Sequence, residues 1–351
     1  MKRTFDIAPW HVATTKWSPE DKLLQESMTS LANENLGMRG FFEEGYSGKE
    51  TLEGVYLGGV WFPDKTRVGW WKNGYPKYFG KMINAVNFLK LTIKANGEQL
   101  DLGKQDPTDF KLDLDMQKGV FNRTYTVELG GTKLKFTFER FVSIVQKELV
   151  GQRLHVENLG DKDVKLEVAA TIDADVYNQD SNYGEQFWEV LNKSAKDNHA
   201  ELTSKTVKNP FGTPRFTVAM GTTTVTDLDH AGDATTEKTA TNNFAGTLKA
   251  GQTVELEKRT VVATSRDFDS QAAIEKRVSD LQAKLDSESF DDLLKAHEDA
   301  WAKRWESSDV QIDGDDAAQQ GIRFNLFQLF STYYGNDSRL NFSPKGFTGE
   351  K

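Results

Sequence analysis

The sequence contains no cysteine among its 351 residues. Disulfides, thiolate metal ligands and cysteine nucleophiles are therefore excluded. The N-terminus has two basic residues but lacks the continuous apolar segment of a secretory signal. No part of the chain approaches the roughly 20 consecutive apolar residues of a membrane span. These absences predict a cytoplasmic protein with no membrane partner.

Signatures of several reaction classes are also missing. The net charge is −9 and there is no block of Lys and Arg, which disfavours a nucleic-acid partner because such a partner requires a basic surface. The sequence has no G-x-S-x-G or Walker A motif, and its glycine-rich segment MRGFFEEGYSG lacks the strand–G-x-G-x-x-G–helix context, so no serine hydrolase, NTPase or dehydrogenase is predicted. The histidines are scattered, which predicts neither a metal site nor a resident cofactor; they are His11, His155, His199, His230 and His297.

Acidic residues occur in groups, none of which has the surroundings of a catalytic pair. General acid–base work requires an environment that separates two carboxyl pKa values. Adjacent acids are usually solvated or stabilise the first turn of a helix, and this is the prediction for Glu43-Glu44, Asp291-Asp292 and Asp315-Asp316. The segment Asp173–Asp180 slightly resembles a calcium loop but lacks its central glycine and distal glutamate. An Asx-rich turn is therefore predicted there.

The chain up to about residue 265 has the alternating pattern of β-strands. Segments such as KLTIKANG, KLKFTFERFVSIV and VKLEVAATIDADV place apolar residues at every second position, with turns between them. Repeated short strands without a long helix predict antiparallel sheets packed face to face. The stretch 208–244 is rich in Thr, Gly, Asp and Asn, and we expect hairpins and exposed turns there.

The periodicity changes to that of helices after residue 267. Apolar residues then recur at steps of three and four, and Ser289 begins a capping pattern, so two consecutive helices are predicted up to Ser307. A third helical pattern runs from about Asp316 to Gly335. Its wide aromatic face has no following partner and is expected to stay uncovered, which suggests an incomplete chain; the face comprises Phe324, Phe327, Phe330, Tyr333 and Tyr334.

One short segment concentrates aromatic residues, from Trp61 to Lys81. Aromatic faces stack on the C–H faces of sugar rings, so a sugar-binding surface around Trp70 and Trp71 is one interpretation. The other is a rigid loop that packs on a sheet or docks on another domain. The sequence favours packing or docking.

Several segments together resemble the maltose phosphorylases of glycoside hydrolase family 65. They occur in order along essentially the whole chain. They include LQESMTSLANENLGMRGFFEEGYSG, GVYLGGVWFPDKTRVGWWKNGYPKYFGK, TIDADVYNQDSNYGEQFWEV, HEDAWAKRWESSDVQIDGDDAAQQGIRFNLFQLFSTY and NFSPKGFTGEK.

The resemblance implies a fold and a reaction. The fold would be mainly β, with a large antiparallel sandwich of the galactose-mutarotase-like supersandwich type at 1–265. A helical linker at 266–310 and the first helix of an (α/α)6 barrel at 311–351 would follow. The reaction would be inverting phosphorolysis by a glycosyltransferase that converts maltose and phosphate to glucose and β-glucose 1-phosphate. Phosphate would be a co-substrate, no cofactor would be required, and the full enzyme would be a homodimer.

The resemblance also implies where a site would lie. The family's catalytic acid, a glutamate, would lie beyond Lys351, so no catalytic residue is assigned and the chain alone is expected to be inactive. Phe324 is the main candidate for a glucose contact, with Arg323 and Gln328 in support. Residues 348–351 would flank the sugar. The alternatives are a carbohydrate-binding module that uses Trp70 and Trp71, and part of a related hydrolase such as an α,α-trehalase.

Overall fold

The computed structural model describes residues 3–66, 76–178, 185–341 and 346–347. This part of the chain contains strands β1 to β19 and four α-helices. The strands are β1 His11–Thr14, β2 Leu31–Ala32, β3 Leu36–Met38, β4 Val55–Leu57, β5 Trp61–Lys65, β6 Tyr78–Met82, β7 Leu91–Ala95, β8 Glu98–Gln99, β9 Thr108–Asp115, β10 Val120–Leu129, β11 Thr132–Val142, β12 Leu149–Asn158, β13 Val164–Asp173, β14 Trp188–Lys196, β15 His199–Thr206, β16 Thr217–Thr226, β17 Asp229–Thr235, β18 Thr239–Leu248 and β19 Thr253–Thr264. The helices are α1 Lys22–Met28, α2 Gln271–Leu285, α3 Phe290–Ser308 and α4 Asp316–Thr332.

Two antiparallel sheets form the body of the molecule. The large sheet has the order β1-β9-β10-β11-β12-β19-β16-β15-β14, and the smaller one has the order β17-β18-β13-β7-β8. Leu154 and Leu256 of the large sheet share one buried core with Leu166 and Val168 of the smaller sheet. The predicted mainly β, antiparallel sandwich is therefore confirmed. Two small sheets accompany it, β2-β3-β4 and β5-β6.

The alternation in sequence corresponds to the inward faces of the strands. Val164, Leu166 and Val168 on β13 are each at most 1% exposed, because side chains two residues apart lie on the same face of a strand. The predicted turn at Asn96-Gly97 joins β7 to β8, and both residues have positive φ, 49° and 84°. Asn and Gly tolerate that conformation better than other residues, which explains the break in the pattern.

The prediction of hairpins and exposed turns for 208–244 was wrong for its middle part. Strand β16 lies between β15 and β19 in the large sheet, and eight of its ten residues are buried. Its threonines made the segment look exposed, although β-branched threonine suits a central strand. The hairpin β17–β18 agrees with the prediction, because β17 is mostly exposed.

The three predicted helices are confirmed, and each begins at a side-chain cap. The side chains of Ser270, Ser289 and Asp315 accept hydrogen bonds from backbone N–H groups in the first turns of α2, α3 and α4. Helix α2 packs on the outer face of the large sheet, where Gly221 leaves room for Val278 and Gln282. Across the described ranges, no helix is long and apolar enough to cross a membrane.

The aromatic face of α4 is covered to a greater extent than expected. Phe327 is fully buried and stacks on Trp301 of α3, with ring centroids 4.8 Å apart. Phe330 meets Trp305 edge-on at 6.0 Å. The expectation that this face stays uncovered was therefore wrong for Phe327 and Phe330, because α3 packs against them. Tyr333 and Tyr334 remain 36% and 45% exposed.

Candidate functional site

Helix α4 carries three of the predicted sugar-site residues, and Arg323 is the most constrained of them. Its Nε and Nη2 donate to the two carboxylate oxygens of Asp309, both at 2.8 Å. Its guanidinium also lies over the ring of Trp10, 3.7 Å from the centroid. These contacts join α4 to the N-terminus and to the segment after α3. Its role toward a sugar stays a prediction.

Phe324 and Gln328 lie one turn apart on α4 and therefore share a face of the helix. Phe324 is half-buried and packs against the main core. The Gln328 side-chain oxygen accepts from Ser30 Oγ at 3.3 Å, while its amide nitrogen is buried without a hydrogen-bond partner. The structure thus brings this pair together beside strand β2. A glucose contact at this face stays a prediction.

Trp70 and Trp71, as well as residues 348–351, lie outside the described residues. What is described on either side of the tryptophans is an aromatic cluster. Trp61 stacks on Tyr78 with ring centroids 6.5 Å apart and planes within 10°, and Tyr78 meets Phe211 at 4.6 Å. The described flanks of this segment therefore pack on one another and on a neighbouring loop.

The prediction of solvated acids at Glu43-Glu44 was wrong. Glu43 and Glu44 are 2% and 4% exposed and face two buried arginines. Both oxygens of Glu44 accept from Arg123, at 2.5 Å each, and Arg123 also donates to Glu43 at 2.9 Å. Arg140 lies 3.1 Å from Glu43. We call Glu43, Glu44, Arg123, Arg140 and Tyr125 the buried charge cluster.

The electrostatics of the buried charge cluster indicate a structural role. Burial alone would raise the pKa of Glu43, but Arg140 and Arg123 outweigh it and hold that pKa below the usual carboxyl value. Burial and the neighbouring Glu44 raise the pKa of Tyr125 well above that of a free phenol, and its hydroxyl donates to Glu44 at 2.6 Å. The carboxylates and guanidinium groups are paired and reach no open surface, while Nε of Arg123 and Nε of Arg140 are buried without a hydrogen-bond partner.

The sequence held a signal for this cluster. Arg123 stands between Phe121 and Tyr125 on the inward face of β10, and Arg140 follows Phe138 on the inward face of β11. A buried arginine requires a buried acceptor. Glu43 and Glu44 precede Arg123 by about 80 residues, so the sequence alone could not show that these acids pair with that arginine.

The other acidic groups have the structural roles that were predicted. Asp173 Oδ1 accepts from the N–H of Asp175 at 2.9 Å, which is the predicted Asx turn, and the two carboxylates also pair with Lys90 and Lys238. Asp291 lies in the first turn of α3, and Asp315 caps α4.

Two histidine environments bear on metal and acid–base chemistry. His297 is 1% exposed, and burial lowers its pKa to about 4. Its Nδ1 accepts from the N–H of Ile144, and its Nε2 lies 3.1 Å from the oxygen of Gly119, so it is a neutral structural residue. A second environment is an exposed group in which one possible ligand atom from each residue lies within 4.8 Å of the others; its members are Asp197, His230 and Asp233. His230 and Asp233 form an ordinary surface pair at 2.9 Å.

A match to a family model shows which protein family the chain belongs to. The model for "Glycosyl hydrolase family 65, N-terminal domain" matches residues 12–304. The chain belongs to glycosyl hydrolase family 65. That stretch includes the sandwich and most of α3, and thus holds the buried charge cluster and the aromatic segment.

Relatives within family 65 match the whole chain. Maltose phosphorylase from Bacillus subtilis is 44% identical over 100% of this chain and 45% of the relative. Alpha,alpha-trehalose phosphorylase from Thermoanaerobacter brockii is 26% identical over 99% of this chain and 46% of the relative. Among solved structures, a protein from human microbiome assigned as a kojibiose phosphorylase superposes with a TM-score of 0.89 and 28% identity, covering 99% of this chain and 45% of that one.

The extent of these matches also matters for function. The chain spans less than half the length of the relatives named here. These relatives share a reaction class, phosphorolysis of a disaccharide, and differ in the disaccharide that their names give. Membership of family 65 therefore leaves the choice of sugar open.

Proposed function

We propose that this chain supplies the N-terminal β-sandwich, the linker helices and the opening helix of the catalytic barrel to an inverting maltose phosphorylase. The observation that carries the proposal is the 44% identity to Bacillus subtilis maltose phosphorylase along the entire chain. Identity to the trehalose phosphorylase is only 26%. The proposed boundaries remain 1–265, 266–310 and 311–351.

The proposed chemistry divides the work between this chain and the rest of the enzyme. Inverting cleavage by water requires an acid for the leaving oxygen and a base to activate the water. Phosphate is already an anion, so one acid suffices; we place that acid, a glutamate, beyond Lys351. Within the chain, Phe324 would contact glucose from α4, with Gln328 and Arg323 in support, and Arg323 would hold the helix in place. The full enzyme would act as a homodimer.

A direct assay tests the proposal. The complete reading frame that contains this chain should release glucose and β-glucose 1-phosphate from maltose and phosphate. Trehalose and kojibiose, offered at the same concentration, should react at least about a hundredfold more slowly, because a site built for one hydroxyl pattern leaves polar groups unpaired with another. Glucose release from maltose at the same rate without phosphate would contradict phosphorolysis and favour a hydrolase.

A second candidate function is a carbohydrate-binding module that uses Trp70 and Trp71, and the observation behind it is the number of aromatic side chains in the segment from Trp61 to Lys81. Calorimetry of maltose and maltotriose against this chain distinguishes the two functions. Micromolar binding that is lost in Trp70→Ala and Trp71→Ala would support the module. The phosphorylase proposal expects no binding up to tens of millimolar.

A further inference from the structure

Gly37 in the small sheet β2–β4 and Gly59 just after it stand where other segments approach closely. A Cβ added at Gly37 would lie 2.5 Å from the Cβ of Phe347. One added at Gly59 would lie 2.5 Å from Nε of Arg266 and 3.0 Å from Leu340. Phe347 is 6% exposed and packs with buried residues of this sheet. The sheet is therefore shaped to receive the chain that follows α4.

Glu34, in the turn between β2 and β3, binds the end of α4 directly. Its own N–H donates to the Ser331 oxygen at 2.8 Å. Its carboxylate accepts from the N–H groups of Tyr334 and Asn336, at 3.2 and 3.1 Å, and from that of Asp337 at 3.3 Å. A carboxylate that collects backbone N–H groups forms strong, charge-assisted bonds.

The backbone of Glu34 is adapted to this task. Its φ is +72°, a conformation that residues other than glycine rarely adopt, and the residue is only 2% exposed. The neighbouring Asn33 fixes the turn to the sandwich, because its amide donates to the oxygens of Ser143 and Lys147 at 2.6 and 3.0 Å. We call the sheet β2–β4 with the turn 33–35 the cradle. It is tied to the sandwich on one side and to α4 on the other.

We propose that the cradle positions the carboxyl end of α4 and so sets the reach of Phe324 toward the sugar. The inference rests on the proposed function and deepens it. Glu34 touches no substrate and is a positioning residue that acts through the helix. Ser30, immediately before β2, adds a second link, since its hydroxyl donates to Gln328 at 3.3 Å. A turn some 300 residues earlier in the chain thereby contributes to sugar affinity.

The physical part of the inference can be tested on this chain by hydrogen exchange. Glu34→Ala should accelerate exchange of the N–H groups at 334, 336 and 337, because it removes their acceptor. Glu34→Gln keeps one oxygen and should retain part of the protection. Glu128→Gln, at an exposed position on β10, is the matched control and should change nothing. Unchanged exchange at the three sites in Glu34→Ala would overturn the cradle.

The functional part requires the complete reading frame and a comparison of two substrates. Misplacement of α4 should raise KM for maltose by about tenfold to a hundredfold, since small displacements of positioning groups have effects of this size. KM for phosphate should stay unchanged, and Glu34→Gln should be milder than Glu34→Ala. An equal rise in KM for both substrates, or no rise in a variant whose hydrogen exchange has accelerated, would refute the positioning role.

If the unaltered protein lacks phosphorolysis, the proposed function fails, while the hydrogen-exchange experiment still decides whether the cradle holds α4.

Discussion

Glu44→Gln is the sharpest test of how the buried charge cluster supports the fold. Glu44 forms a two-pronged pair with Arg123, at 2.5 Å for both contacts, and also accepts from Tyr125. Glutamine keeps one oxygen but turns an NH2 group toward a guanidinium N–H. The substitution therefore removes the negative charge of Glu44 and places an amide N–H donor against a guanidinium N–H donor.

The magnitude follows from burial. Breaking a fully buried ion pair costs about 3–5 kcal/mol. The remaining Glu43, 2.9 Å from Arg123, places the expected loss at the lower end, about 3 kcal/mol. At roughly 2–4 °C per kcal/mol for a large domain, the melting temperature should fall by about 6–12 °C.

Urea denaturation at pH 7, followed by tryptophan fluorescence, measures this loss. Glu128→Gln is the control and should leave the midpoint unchanged. The triple variant Glu44→Leu, Arg123→Met and Tyr125→Phe should be more stable than Glu44→Gln, because apolar side chains then replace the ion pair and the hydroxyl that donates to it, while Glu43 keeps Arg140. A loss below about 1 kcal/mol in Glu44→Gln would refute the assignment of this pair as a major support of the fold.

Three further changes test other parts of the structure. Burial holds the pKa of His297 near 4, so between pH 6.5 and 4 the unfolded chain binds a proton that the folded chain does not. The free energy of unfolding, measured by urea titration, should therefore fall by about 3 kcal/mol from pH 6.5 to 4. His297→Gln should make this pH dependence weaker. Burial lowers the pKa of Lys258 to about 7, so stability should rise as pH increases from about 7 to 10.5, and Lys258→Met should abolish that rise. Ser289→Ala removes the cap of α3 and should cost about 1 kcal/mol in urea titrations; no loss would argue against the cap.

The sequence predicts the parts of the fold that depend on local periodicity. Strands such as β13 and the helices α2 to α4 follow from apolar residues at every second position, or at every third and fourth. The caps at Ser289 and Asp315 are also local, because their bonds span three residues.

The rest could not be predicted, because it depends on residues that are far apart in sequence. The threonines of β16 are buried because helix α2 packs on one face of the large sheet and the smaller sheet packs on the other. Glu43 and Glu44 are paired only because β10 and β11 present arginines to them. Among the candidate site residues, the sequence placed Phe324 and Gln328 on one helix but could not place Glu34 at its end.

The bonds between Glu34 and the end of α4 have a consequence for the order of folding during synthesis. Their partners are separated by 300 to 303 residues. At about 5–20 residues per second, a ribosome needs roughly 15–60 s to make the intervening chain. The strands up to Thr264 can pair within that interval, whereas the turn at Glu34 waits with its carboxylate unpaired until α4 emerges. The joining of the turn at Glu34 to α4 therefore comes after the strands that lie between them have been made.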